Sequence, residues 1–175
     1  MMSNFSKARD KLKMVLDDLR RSISRYFEGD FPDSIFRMQL AVENACKSIL
    51  SFLGVEYELT HFPSTIISHL LSDKSAFKRY GFKKEHTNYL LQVITYASSL
   101  ETQGSMPRYG WETEERIILP REIYDENLAK MLIRDGLLAL KNVSKFFKLF
   151  ELPGDVRTEV EKLNHEVERA LKKLG

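Results

Sequence analysis

Two short stretches carry residue types that could handle a phosphodiester. The first runs Arg79-Tyr80-Gly81-Phe82-Lys83-Lys84-Glu85-His86, an arginine and a histidine separated by six residues. An imidazole takes or gives a proton near neutral pH. A guanidinium holds a phosphate in its planar fork and neutralises charge developing on it. Lys78, Lys83 and Lys84 add positive field for a polyanion. Arg79 and His86 are therefore a candidate catalytic pair, and Lys83 and Lys84 candidate phosphate contacts. The plain alternative is a solvated basic turn with His86 near the start of a helix. The second stretch is Arg108-Tyr109-Gly110-Trp111, with the only tryptophan of the chain. A cation beside two aromatic rings can hold a phosphate and stack a base. Equally, such aromatics can pin a loop over the core.

Other chemistries have less to stand on. Glu43 and Lys47 are four residues apart in the favourable order for a helical ion pair. With Asn44 they could instead line a polar groove at a dimer interface. His61, His69, His86, His165 and Cys46 show none of the usual metal-ligand spacings, so no metal or other cofactor is expected. Cys46 sits in an apolar run and reads as a small hydrophobe. No phosphate-cradling glycine loop, hydrolase elbow or dinucleotide fingerprint is present.

The elements that must position these residues are helices. The chain has 175 residues, 43% hydrophobic and 30% charged, which suits one globular domain with a real core. Its net charge of +2 is too small to argue for nucleic acid by itself. One cysteine allows no internal disulfide and fits a reducing, cytoplasmic setting. The polar N-terminus does not read as a signal peptide, and no apolar run approaches a membrane span.

Phe5, Ala8, Leu12, Val15, Leu16, Leu19, Ile23 and Phe27 recur at three- and four-residue spacing and predict a first helix over residues 4–27. After a turn at Gly29-Asp30-Phe31-Pro32, a second helix runs to Gly54. It is apolar on more than one side, as a helix buried among neighbours should be. Val55, Tyr57 and Leu59 alternate with Glu56 and Glu58, but without a partner strand this piece reads as an extended connection. A short third helix starts at Pro63, with a further turn or two over 74–80, and a fourth spans 84–100. Residues 101–121 read as a long irregular stretch, a length usually reserved for function. A fifth helix spans 122–152, with Asp125 as its cap if it starts late. A last one spans 155–174, where Val156, Val160, Leu163, Val167, Ala170 and Leu174 form a heptad seam. That seam either folds onto the bundle or serves assembly. The expectation is an all-α antiparallel bundle of about five core helices (residues 1–152) plus a C-terminal helix (153–175), with almost no strand.

The segment from Tyr26 to Gly54, with His61 beyond it, resembles the HEPN family of small helical domains. The matching features are the aromatic pair Tyr26-Phe27 with Gly29 close behind, then Gln39, Glu43 and Lys47 on one helix, then Gly54 and His61. Gln39 and Glu43 are one residue further apart than the family pattern. Downstream, Arg108-Tyr109 resembles an Arg-Tyr-Pro motif with Gly110 in place of the proline, and Tyr124-Asp125-Glu126 resembles the start of the last core helix. The resemblance covers residues 4–150 and leaves out the C-terminal helix. It implies a helical bundle, often a homodimer, linked to nucleotide or RNA binding. It also implies a place in toxin–antitoxin or defence systems beside a minimal nucleotidyltransferase. A subset of the family are metal-independent endoribonucleases with an Arg and a His a few residues apart. Arg79 and His86 match that spacing, although Tyr80 replaces the small polar residue common after the Arg.

Three readings follow. The chain is a nucleotide- or RNA-binding module, the toxin-side partner of a nucleotidyltransferase. Alternatively it is a metal-independent endoribonuclease using Arg79 and His86, or a purely structural homodimeric interaction domain.

Overall fold

The computed structural model describes residues 3–57 and 60–175. The fold is all-α. Five long helices carry it: α1 (Phe5–Phe27), α2 (Phe31–Leu53), α5 (Lys84–Glu101), α8 (Glu126–Phe147) and α9 (Gly154–Leu174). Four short ones sit between them: α3 (Pro63–Ser72), α4 (Lys74–Tyr80), α6 (Met106–Tyr109) and α7 (Pro120–Ile123).

Side-chain caps start several of these helices. Asn4, Asp30 and Asp125 each accept a backbone N–H three residues on, and so begin α1, α2 and α8. Phe31 and Pro32, expected in the turn, are instead the first residues of α2. Proline is suited to that position because no intrahelical N–H is needed there. α1 and α2 pack against each other as the expected hairpin, locked close to the turn by Ser22 and Ser34, whose hydroxyls each donate to the other's carbonyl. α2 also meets α3, α5, α6, α7 and α8, which makes it the central helix. Ile35, Met38, Ala41, Ala45, Cys46, Ile49 and Leu50 along it are fully buried.

The connection after α2 has no regular structure over residues 55–57 and 60–62; Glu58 and Leu59, part of the expected alternation, lie outside the described residues. The stretch from 101 to 121 is ordered, not irregular. It holds α6, a two-stranded antiparallel ladder of β1 (Trp111–Glu112) and β2 (Ile117–Ile118), and α7. Thr113 and Arg116 close the hairpin tip, and the Arg116 guanidinium binds the Glu122 carboxylate at 3.0 Å, tying the hairpin to α7. The predicted fifth helix is therefore shorter at both ends. It starts at its Asp125 cap and stops at Phe147.

α9 lies along α1 and α8. Val156, Val160, Leu163, Val167, Ala170 and Leu174 are all buried there. Among the described residues, no helix is long and apolar enough to cross a membrane.

Candidate functional site

One side of α2 differs from the rest of that helix. Phe36, Gln39, Leu40 and Glu43 follow each other at helical spacing and are only half buried. They form the floor of a cleft of about 320 Å³. His61 and Phe62 ahead of α3 make one wall; Leu100 and Glu101 at the end of α5, with Gly104, Ser105 and Arg108, make the other. The volume is near the lower end of ligand pockets, ~300–1,000 Å³.

Glu43, Gln39 and Glu101 are each held by neighbouring groups. The Glu43 carboxylate takes Lys47 Nζ on one oxygen and faces His61 Nδ1 at 3.2 Å with the other. The expected Glu43–Lys47 pair thus forms, with a third member. Gln39 Nε2 donates to the carbonyls of Leu100 (2.9 Å) and Gly104 (3.0 Å). Those carbonyls sit at and just beyond the end of α5, where helical partners run out. Glu101 accepts from the Ser64 hydroxyl and, at 3.4 Å, from the Ser64 backbone N–H. Burial raises the Glu101 carboxyl above its ordinary range, the Ser64 hydrogen bonds oppose that, and the nearby Glu43 charge adds to the rise. The Arg108 guanidinium lies over Phe36, 4.9 Å from the ring centroid, and 4.8 Å from that of Tyr109.

Of the residues singled out by the sequence, Arg108 is therefore in the cleft. Tyr109 and Trp111 are beside it, with Ser105 shared between the cleft and the shallow depression they line. They do not pin the loop on the core: Tyr109 is 66% and Trp111 59% exposed.

Lys83, Lys84 and His86 lie at the other end of α5 from Glu101, ~25 Å away at 1.5 Å per residue. His86 is 6% exposed. Its Nδ1 accepts the Lys83 backbone N–H at 3.0 Å, closing the start of α5. Its ring stacks on Phe82 at 5.6 Å and meets Phe150 edge-on at 4.9 Å. Arg79, by contrast, is exposed on α4, its guanidinium carbon 6.0 Å from the Tyr80 ring centroid. The structure thus gives His86 a capping and packing task, and places the expected Arg79–His86 pair and its lysines away from the cleft.

Sequence reasoning missed Phe36, Phe62 and Glu101 as site residues, and read Glu43 as a local ion pair or as part of a polar groove at a dimer interface. The one available signal was the half-polar stripe 36–39–40–43 on an otherwise apolar helix. Among the described residues, no group of three or more His, Cys, Asp or Glu side chains is gathered to hold a metal.

The cleft gathers Gln39, Glu43, His61 and Arg108, with Lys47 behind them. These are residues that the HEPN resemblance rests on. The model of the HEPN domain family matches residues 8–152, most of the chain, and the protein belongs to that family. A relative, "Putative toxin MJ1304" of Methanocaldococcus jannaschii, is 25% identical over 145 residues, covering 83% of this chain and 91% of that one. No solved structure matches.

Proposed function

We propose that this chain is a nucleotide- or RNA-binding HEPN module acting on the toxin side of a two-component pair, and that the α2–α5–α6 cleft takes the ligand. One observation carries the reading. Polar side chains from separate segments (Gln39 and Glu43, His61, Arg108) converge on a single concave site with Phe36 in its floor and Phe62 in one wall, and two exposed aromatic rings stand beside it. A base fits the apolar cleft, a phosphate fits Arg108, and a following base stacks on Tyr109 or Trp111. The toxin assignment draws on the name of the archaeal relative. A homodimer and a nucleotidyltransferase partner come from the family resemblance and belong to the same proposal.

The alternative, a metal-independent nuclease built on Arg79 and His86, asks His86 for proton transfer from a buried ring whose Nδ1 already accepts a backbone N–H. No geometry supports it over the cleft.

Trp111 supplies the test. Its emission should change when short single-stranded RNA is titrated in. Arg108→Ala should weaken binding about tenfold while leaving the unfolding midpoint in place, since the side chain is exposed. If neither RNA nor mononucleotides bind by calorimetry, the reading is wrong.

A further inference from the structure

The two carboxylates in the cleft constrain what can enter it. An ionised carboxylate offers acceptors and no donor. Glu101 receives both the hydroxyl and the backbone N–H of Ser64, contacts that favour the ionised form against the burial and the Glu43 charge that raise its carboxyl. Glu43 holds Lys47 Nζ on one oxygen and faces His61 Nδ1 with the other. The negative end of the α5 dipole adds to the same field. A phosphate is repelled from this inner part, and its place is at Arg108. What lies against Glu43 and Glu101 must bring hydrogen-bond donors, and on a flat body that fits between Phe36, Leu40, Phe62 and Leu100 those are the N–H groups of a base.

The four RNA bases differ on this point. Guanine presents two adjacent donors, N1–H and the N2 amino group, spaced for the two oxygens of one carboxylate. Adenine and cytosine set an acceptor nitrogen beside their amino donor. Uracil flanks its single N3–H with two carbonyl oxygens. Each of those acceptors would face a carboxylate oxygen and leave both unsatisfied, which is how a polar site rejects a wrong ligand. A cleft of about 320 Å³ has room for a single nucleoside unit.

We propose that the cleft is selective for guanine, with a carboxylate of Glu101 or Glu43 bridging N1–H and the N2 amino group, the base held between Phe36 and Phe62, and the phosphate at Arg108. This rests on the cleft being the nucleotide site.

The first measurement needs no variant, so it stands whatever a substitution does to folding. Calorimetric affinities of the parent chain are compared for the 5′-monophosphates of guanosine, inosine, adenosine, cytidine and uridine. Inosine keeps N1–H and lacks the N2 amino group, so it should bind about tenfold more weakly than guanosine, the worth of one hydrogen bond to a charged acceptor. The other three should be weaker still. Arg108→Ala should weaken all five alike and preserve the order. The double variant Glu43→Gln, Glu101→Gln should bring the guanosine-to-adenosine ratio close to one. Equal affinities for all five nucleotides, all weakened by Arg108→Ala, would overturn guanine selectivity and leave the cleft as a general nucleotide site. Guanosine preferred over inosine with the ratio unchanged in the double variant would also overturn it, by removing the carboxylates from recognition. No binding of any nucleotide would overturn both proposals.

Discussion

His86 Nδ1 accepts the Lys83 backbone N–H, so that nitrogen must stay unprotonated for the start of α5 to remain closed. Burial lowers the imidazole below its ordinary value, and the charge of Lys83 adds to the lowering. A depressed histidine makes the folded state bind protons less readily than the unfolded one. The associated stability is fully present above the ordinary value of about 6.5, and is lost as pH falls from there through the folded value. Urea midpoints should therefore drop between pH 7 and pH 5, above the range where ordinary carboxylates titrate. His86→Phe keeps an aromatic ring against Phe82 and Phe150 and removes the titration. It should flatten that drop and cost about 1 kcal/mol at neutral pH for the lost cap. A drop of the same size in the variant would assign the pH dependence to another group.

The elements were unequally legible in the sequence. α1, α2, α5, α8 and α9 are long enough for the three-and-four spacing to show, and Asp125 marks a start by a mechanism that is local; Asp30, which caps α2 in the same way, read as part of the turn. Residues 101–121 hide their order because α6, β1, β2 and α7 are two to four residues each, too short for any period. The cleft was hidden for a different reason: its lining comes from 36–43, 61–62, 100–101 and 104–108, which only the finished packing brings together.

Two glycines set how those elements meet. Gly110 has φ +74°, and a Cβ there would lie 2.1 Å from the Ile118 carbonyl oxygen. Gly110→Ala should open the hairpin while the bundle stays folded, because the ladder joins the rest through α6 and α7. Fast amide exchange at Thr113 and Arg116, with an urea midpoint near that of the parent, is the expected result. Retained protection at both amides would refute it. Gly136 on α8 is the second, where an added Cβ would meet Met38 Cγ at 2.3 Å and Leu100 Cδ1 at 3.1 Å. Overpacking costs about 1–3 kcal/mol, and Ala over Gly in a helix returns up to about 1. Gly136→Ala should therefore destabilise by about 1–2 kcal/mol in urea unfolding, and an unchanged or raised stability would show that α2 and α8 separate more easily than their packing suggests.

At the scale of the whole molecule, the family match ends at Leu152 and α9 begins two residues later. The helix is nevertheless part of the core. Its apolar seam is turned inward onto α1 and α8, so the seam can serve a partner chain only after α9 leaves the bundle. Around the seam lie exposed ion pairs, Arg9 with Asp155 and Lys141 with Glu168, and Arg20 with the more covered Glu166. Pairs of this kind contribute about 0–1 kcal/mol each, whereas emptying a buried leucine site costs about 2–5. Leu163→Ala should thus lower stability several-fold more than Arg20→Ala. Against a typical total of ~5–15 kcal/mol, losing the whole seam removes most of the margin. A chain ending at Leu152 would also expose the matching apolar surface of α1 and α8, which include Leu12, Leu16 and Leu140 among their buried residues. It is expected to unfold or aggregate, giving reduced helical circular dichroism or large species in light scattering. A truncated chain that stays helical, of single size and of unchanged urea midpoint would mean that the bundle over 1–152 closes its own core, and that α9 is an appendage available for assembly.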